Sequence, residues 1–462
     1  MPTPDPEYRA EDETKIEITD LDIPLASGKL PGRFTRRSRI ASSRARVWIG
    51  IATVAGFVLL GAAVLVNVAP QPKVARPDAP AQTNYPVALS VVDGICYTTA
   101  PNGIVTALRV SDGVLLWRHT GKAAEETATV TGGIIYLVPL LPNKGSTPTV
   151  TIEALRARDG SPLWSHSFPH DALNEFQLTV VNGVVYIRSV EKSITALRAS
   201  DGSLLWSYTA QTPFVSTVVE GTVYTLTQDG HLTALSASSG SVLWTHTSLT
   251  PTRPSPAIVA NGLVFLSLRD SGIDALRAET GALLWRYTPR DSTLTLLSPP
   301  RVANGSVYIL TQDGYLTALR ASSGSTVWRV GFHRTSPLFF LAATGGEIYV
   351  ETLDGSVDAL SENSGSALWH YQSRGGGPTA MTAVQGAIYL ASATTGVNVF
   401  RSITVLGANN GLVLWLYNPH TPAIQVTPVL ANNLVLIPLQ DGSIDALDAS
   451  SGSLRWHRAM NS

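Results

Sequence analysis

The 462-residue sequence predicts an all-β fold, a β-propeller of repeated four-strand units, behind one N-terminal transmembrane helix. Three observations carry that prediction. The stretch TVYTLTQDGHLTALSASSGSVLW at 222–244 returns as SVYILTQDGYLTALRASSGSTVW at 306–328, with 17 of 23 positions identical. A tryptophan with Gly four residues before it and Leu nine before it occurs nine times, at spacings of 38 to 47 residues. Residues 47–69 form an uncharged run of 23 residues directly after a basic segment.

The nine tryptophans are Trp117, Trp164, Trp206, Trp244, Trp285, Trp328, Trp369, Trp415 and Trp456; Trp48 stands outside the series. One period, 256–288, reads PAIVANGLVFLSLRDSGIDALRAETGALLWRYT. Short apolar runs alternate there with turn signals at Asn261-Gly262, Asp270-Ser271-Gly272 and Glu279-Thr280-Gly281. Asn-Gly between apolar runs marks a two-residue hairpin, because both residues accept positive φ. The equivalent glycines recur in eight units, and Asn433 takes the position in the ninth. No segment from residue 85 onward keeps a helical period. Each unit therefore reads as a meander of four antiparallel strands. A lone four-stranded sheet leaves both faces wet, so the units must stack, which accounts for unalternated runs such as LVFL and VLIPL. An open β-solenoid is the competing architecture, but its coils are shorter and lack four-strand units.

The tryptophans fall in the fourth, outermost strand. An indole is large enough there to bridge onto the adjacent blade, with its N–H bonded to neighbouring backbone. Stacking on a sugar or base would need the rings gathered together, whereas equal spacing distributes them around a ring. They are assigned a blade-docking role.

The phrases ALRASDGSLLW at 196–206, ALSASSGSVLW at 234–244 and ALRAETGALLW at 275–285 resemble the tryptophan-docking motif of the quinoprotein alcohol dehydrogenase-like propellers, the PQQ-repeat superfamily. The resemblance extends over nearly all of 85–460. It implies a ring that in this superfamily is usually eight-bladed. With nine units here, either one unit fails to form a full blade or the ring holds nine. It also implies two functional branches. One contains PQQ- and Ca²⁺-dependent dehydrogenases. The other contains cofactor-free scaffolds and sensors, including the lipoprotein scaffold of the outer-membrane β-barrel assembly machinery and sensor domains of bacterial kinases.

Ahead of the repeats, residues 1–32 carry eight Asp/Glu against three Lys/Arg and little that could build a core. RFTRRSRIASSRAR follows at 33–46 with six Arg and no acid. The run at 47–69 is about 34 Å long as a helix, enough to span a hydrocarbon core. It exceeds the apolar stretch of a cleaved signal peptide and begins too far into the chain for one. No Cys follows it, unlike a bacterial lipoprotein. The basic flank places the N-terminal side in the cytoplasm. The segment 70–84, PQPKVARPDAPAQTN, is an extended spacer. The expected organisation is a disordered cytoplasmic tail at 1–46, a signal-anchor helix at 47–69, a Pro/Ala linker at 70–84 and an extracytoplasmic propeller at 85–460. The protein is thus expected in the cell membrane, as a single-pass protein.

A net charge of −1 gives no field to draw nucleic acid, and the basic run beside the membrane span is topogenic. The lone cysteine, Cys96, forbids an intramolecular disulfide and reads as a small buried hydrophobe. It also departs from the dehydrogenase branch, where the resemblance implies two adjacent cysteines beside the quinone. The resemblance further implies carboxylates and an Asn around Ca²⁺ in that branch. Here Asp229, Asp313, Asp354 and Asp441 each precede Gly and are explained by turns. His119, His166, His246, His370 and His457 lie in or after fourth strands, and no metal-ligand spacing stands out. No catalytic residue, metal or cofactor is therefore assigned, and the PQQ/Ca²⁺ oxidoreductase is kept as the alternative.

Binding is the favoured reading. In a meander, the first and third turns lie on one face, and the second turn and the inter-blade link on the other. The tight glycine turns fill the first face. Enlarged hairpins, VPLLPNKGSTPTVT and SATTGVNVFRSIT, fall on the second. Its links carry His170, Arg253, Arg290, His333, Arg334, Arg374 and His420, the candidate binding face for an extracytoplasmic protein, peptide or glycan.

Overall fold

The first turn of each unit sets the meander. At Asn261-Gly262 the φ angles are 53° and 71°, and at Asn432-Asn433 they are 49° and 59°, the paired left-handed geometry of a type I′ hairpin. Asparagine can replace glycine at the second place because its short side chain tolerates that backbone.

The computed structural model describes residues 88–460, apart from 101–102, 122–125, 140–148, 170–175, 190–191, 254, 290–295, 297–298, 333–337, 353–354, 374–379, 394–398 and 425–428. The segments assigned above as tail, membrane helix and linker lie outside the described residues. Among the described residues there is no helix, and so none long and apolar enough to cross a membrane.

The strands form nine antiparallel sheets, at 88–120, 126–169, 176–209, 214–247, 258–287, 301–331, 338–371, 380–417 and 429–459. Each is a four-stranded meander in chain order. The choice left open by the sequence is thereby decided: every unit is a complete blade, and the propeller has nine. First strands of successive blades meet at the centre, as those of blades one and two, three and four, and seven and eight do, and that of blade nine meets that of blade one, closing the ring. Blade eight carries an addition. Its third strand, Val399–Gly407, is long enough to pair with the two-residue strand Ala423–Ile424 from the link that follows.

The core is not one body but nine interfaces. Each buried cluster joins the second and third strands of consecutive blades, as where Tyr136, Val138, Ile152 and Ala154 of blade two meet Val185, Ile187, Leu197 and Ala199 of blade three. Burying both sheet faces removes the reason for polar alternation, hence second strands such as LVLIP, buried throughout.

Tryptophan fastens each interface at the rim. Trp164 Nε1 donates to the Ala199 carbonyl at 2.9 Å, and Trp244 Nε1 to the Ala278 carbonyl at 3.0 Å. All nine indoles make the equivalent bond to the next blade, ending with Trp456 Nε1 to the Val110 carbonyl at 2.8 Å. The accepting residue is held by its own blade: Ala199 N–H donates to the Gly183 carbonyl of the first turn. The indole face lies against the glycine of the motif in the next blade. A Cβ on Gly281 would stand 2.4 Å from Trp244 Cε3. In eight blades the ring also meets a Tyr or Phe of its own second strand, with centroids about 6 Å apart, as in Tyr224 against Trp244 at 5.9 Å.

Candidate functional site

Of the seven candidate residues on the link face, His170, Arg290, His333, Arg334 and Arg374 lie outside the described residues. Arg253 and His420 are described, and four blades separate the links that carry them. Arg253 is half-buried, and its Nε donates to the Leu268 carbonyl in the second turn of blade five at 3.3 Å. Burial, with Arg269 adding to it, holds its guanidinium below the ordinary arginine value. His420 sits in a different setting, a cluster of ionisable side chains between blades eight and nine.

That cluster is built on one register position. Eleven residues before each docking tryptophan, in the third strand, five blades carry Thr106, Thr195, Thr233, Thr317 and Thr404. The other four carry Glu153, Asp274, Asp358 and Asp445. The position faces the inter-blade space and is closed from water in some blades, with Asp274 0 % and Asp445 1 % exposed, while Thr195, Thr233 and Asp358 are partly buried. A β-branched neutral residue suits such a site, and a carboxylate there needs compensation. Asp274 receives it from Arg286 of the next strand, with Nε at 2.5 Å and a terminal nitrogen at 2.6 Å on its two oxygens. Ser248 adds a hydroxyl from blade four at 2.8 Å. Asp358 faces His370 Nδ1 at 2.8 Å, and Glu153 faces His119 Nε2 at 3.9 Å.

Asp445 is the exception in kind. Among the described residues its ion-pair partners are two imidazoles and no arginine or lysine. His457, opposite it in the adjacent strand Leu454–Ala459, places Nδ1 2.7 Å from Oδ1. His420, from the link after blade eight, places Nδ1 3.9 Å from Oδ2. The two rings lie edge to face, with centroids 5.1 Å apart. Tyr417, at the end of the strand Val413–Tyr417, donates its hydroxyl to Asp445 Oδ2 at 2.6 Å. Burial and that carboxylate together push the phenol well above its usual range. The other nitrogen of His420, Nε2, lies 3.2 Å from Asp441 Oδ2. Asp441 is clamped in turn by the backbone N–H and hydroxyl of Ser443 at 2.9 and 2.5 Å. Burial raises the Asp441 carboxyl, but the bonds from Ser443 and His420 outweigh it and leave the group below the usual carboxylate range.

Asp441 was assigned only a turn, and its bond to His420 gives it a second role. No metal-ligand spacing stands out in the sequence, yet His420, Asp445 and His457 offer donor atoms that all lie within 4.8 Å of one another. The three are too far apart in sequence to form a motif. A signal was nonetheless present: a carboxylate replacing threonine at a fixed distance from the tryptophan.

On the opposite face, a groove of about 520 Å³ runs between the first turns of blades five and six and the third turns of blades six and seven. Asn304 and Tyr308 donate to the two oxygens of Glu362 on its wall, each at 2.8 Å, so its acid is already satisfied from within the fold.

No curated protein sequence matches the chain. The structure is similar to the computationally designed Ika8 protein at a TM-score of 0.51 and 15 % identity, covering 79 % of this chain and 96 % of that one. It is also similar to BamB from Moraxella catarrhalis, at a TM-score of 0.48 and 17 % identity over 69 % of this chain and 92 % of that one. A further similar structure is the quinohemoprotein alcohol dehydrogenase from Comamonas testosteroni, at 0.44 and 15 % over 61 % and 66 %. Residues 148–315 and 312–462 match the PQQ_2 family, described as Outer membrane protein assembly factor BamB. That match spans well over half of the sequence and joins with the nine tryptophan-docked blades to place this chain in the PQQ_2 family of β-propellers.

Proposed function

We propose that this chain is a single-pass membrane protein whose extracytoplasmic propeller binds a protein, peptide or glycan through its link face, without catalysis. The observation that carries the reading is membership of a family described as an outer-membrane protein assembly factor. The build of the ring supports it. Nine interfaces of interlocked tryptophans make a rigid scaffold, while the enlarged hairpins of blades two and eight and the added strand Ala423–Ile424 all fall on the link face. The anchor rests on the apolar run at 47–69 and its arginine-rich flank.

Site-specific photo-cross-linkers in the full chain on intact cells test this. Adducts are expected from the exposed link-face position Gln440 and not from Asn261 on the hairpin face. Equal labelling from both, or none from either, would remove the reading. Simultaneous substitution of Arg253, Arg290, Arg334 and Arg374 is expected to lower the yield of adducts. A calorimetric titration with PQQ, with and without Ca²⁺, addresses the oxidoreductase alternative: stoichiometric, calcium-dependent binding would replace the scaffold with an enzyme.

A further inference from the structure

We propose that His420, Asp445 and His457 form a binding site for a divalent transition-metal ion of the zinc type, stapling the link after blade eight to the rim of blade nine. Two imidazoles and a carboxylate are a donor set that suits such an ion, with a fourth position left for water or another ligand. The donor atoms lie within 4.8 Å of one another. A tetrahedral shell with bonds of about 2.0–2.2 Å needs donors roughly 3.3–3.5 Å apart. The widest pair must close by about 1.3–1.5 Å and the 2.7 Å pair of His457 and Asp445 must open by about 0.6–0.8 Å, within reach of rotating the two exposed imidazoles.

Hydrogen bonding orients the donors. Asp441, fixed by Ser443, sits on Nε2 of His420, so a proton on that nitrogen leaves the Nδ1 lone pair toward Asp445. In that tautomer a lone pair faces a carboxylate oxygen at 3.9 Å, a repulsion that either a second ring proton or a bound cation relieves. The Tyr417 hydroxyl occupies the other side of Asp445 Oδ2. Carboxylate and phenol partners behind the ligands are the usual support of a metal site. On binding, any proton on His457 Nδ1 is released to solvent and that nitrogen's lone pair turns from Asp445 to the ion.

The register series supplies the contrast. At the same position Asp274 is already neutralised by Arg286, and Asp358 faces the imidazole of His370 in its own blade. Among the described residues only Asp445 draws an imidazole from both sides of a blade interface. The ion would tie down a link whose strand Ala423–Ile424 pairs with the third strand of blade eight.

The test is titration of metal-free full-length protein, carrying no polyhistidine tag, with Zn²⁺ by calorimetry and with Co²⁺ by visible absorption. One equivalent is expected, with the Co²⁺ bands of a site rich in nitrogen and oxygen donors. His420→Ala and His457→Gln should each weaken binding at least about 100-fold, and Asp441→Asn about 10–100-fold. His370→Ala in blade seven should leave it unchanged. Zn²⁺ should also raise the unfolding temperature of the native chain and not that of His420→Ala. Failure of the folded native chain to take up one equivalent, or uptake unchanged by His420→Ala and His457→Gln, would overturn the proposal. The first outcome would leave the cluster as a protein-only ionic bridge.

Discussion

Two glycines with the same backbone angle have different reasons to be glycine. Gly262 has φ of 71° and a Cβ built there meets nothing within 4 Å. Gly281 has φ of 70°, but its Cβ would strike the face of Trp244 at 2.4 Å. Gly262→Ala should therefore cost only the left-handed backbone term, about 1–2 kcal/mol. Gly281→Ala should cost that plus about 1–3 kcal/mol for displacing the indole. Denaturant midpoints of the two variants compare them directly, and equal losses would mean the indole gives way freely. A second prediction at this scale concerns acid. Burial lowers the pKa of His246, Asp274 opposes that, and Arg286 adds to it. The unfolded chain thus binds this proton more readily than the folded one. The contribution is intact above the ordinary histidine value of about 6.5 and is lost as pH falls below that value and through the lower folded one. His246→Gln should make the unfolding temperature less sensitive between about pH 7.5 and 5.5; an unchanged slope would assign the acid sensitivity elsewhere.

The outer strands are where blades differ. The residue after each docking tryptophan is Arg118, Ser165, Ser207, Thr245, Arg286, Arg329, His370 or His457, and in blade eight alone it is Leu416. Leu412 and, on the strand Val413–Tyr417 that follows it with one unpaired edge, Val413, Leu414 and Leu416 are all more than half exposed. Polar groups on edge strands discourage pairing between chains, and blade eight lacks them. Leu416→Arg should leave the unfolding midpoint within about 0.5 kcal/mol while reducing concentration-dependent association in sedimentation. An unaltered association profile would show that this edge does not drive it. The strands were legible from turn spacing and apolar runs. What was not legible is the bulge between third and fourth strands, which falls between Ala and Leu, as at Ala275/Leu276, in eight blades and between Val405 and Leu406 in blade eight. Its cause is cross-strand pairing, and a single strand's sequence does not state its partner's register.

Across the whole ring, closure rests on side chains. Blade nine takes all its strands from 429–459 and blade one from 88–120, so neither completes the other with a borrowed strand. The joint is the cluster of Leu89, Cys96, Leu108 and Val110 with Leu434, Leu436, Ile444 and Ala446, fastened by Trp456. The Arg118 guanidinium adds a bond to the Met460 carbonyl at 2.6 Å. Burial there pushes the Cys96 thiol up to about 12, so it is held as an unreactive apolar group. This joint lacks one ring found elsewhere, because Leu436 stands where the other blades have Tyr or Phe. Trp456→Ala should cost about 3 kcal/mol or more and raise amide exchange in 88–120 and 429–459 together. Trp244→Ala should cost a similar amount without opening that joint. Exchange in blade one that ignores Trp456→Ala would show closure to be independent of the indole.

The sequence alone determined the repeat, its period, the four-strand unit, the type of first turn and the family resemblance. Those properties are local or periodic, and each copy states them again. It also set out the apolar run at 47–69 and its basic flank, on which the proposed anchor rests. Only the tertiary structure decided that all nine units close into one ring, because closure depends on whether the last interface fits the first. Only it brought His420, Asp441, Asp445 and His457 together, since they come from a link, a turn and two strands. Such a site exists through the packing of one blade on the next, which no single period encodes.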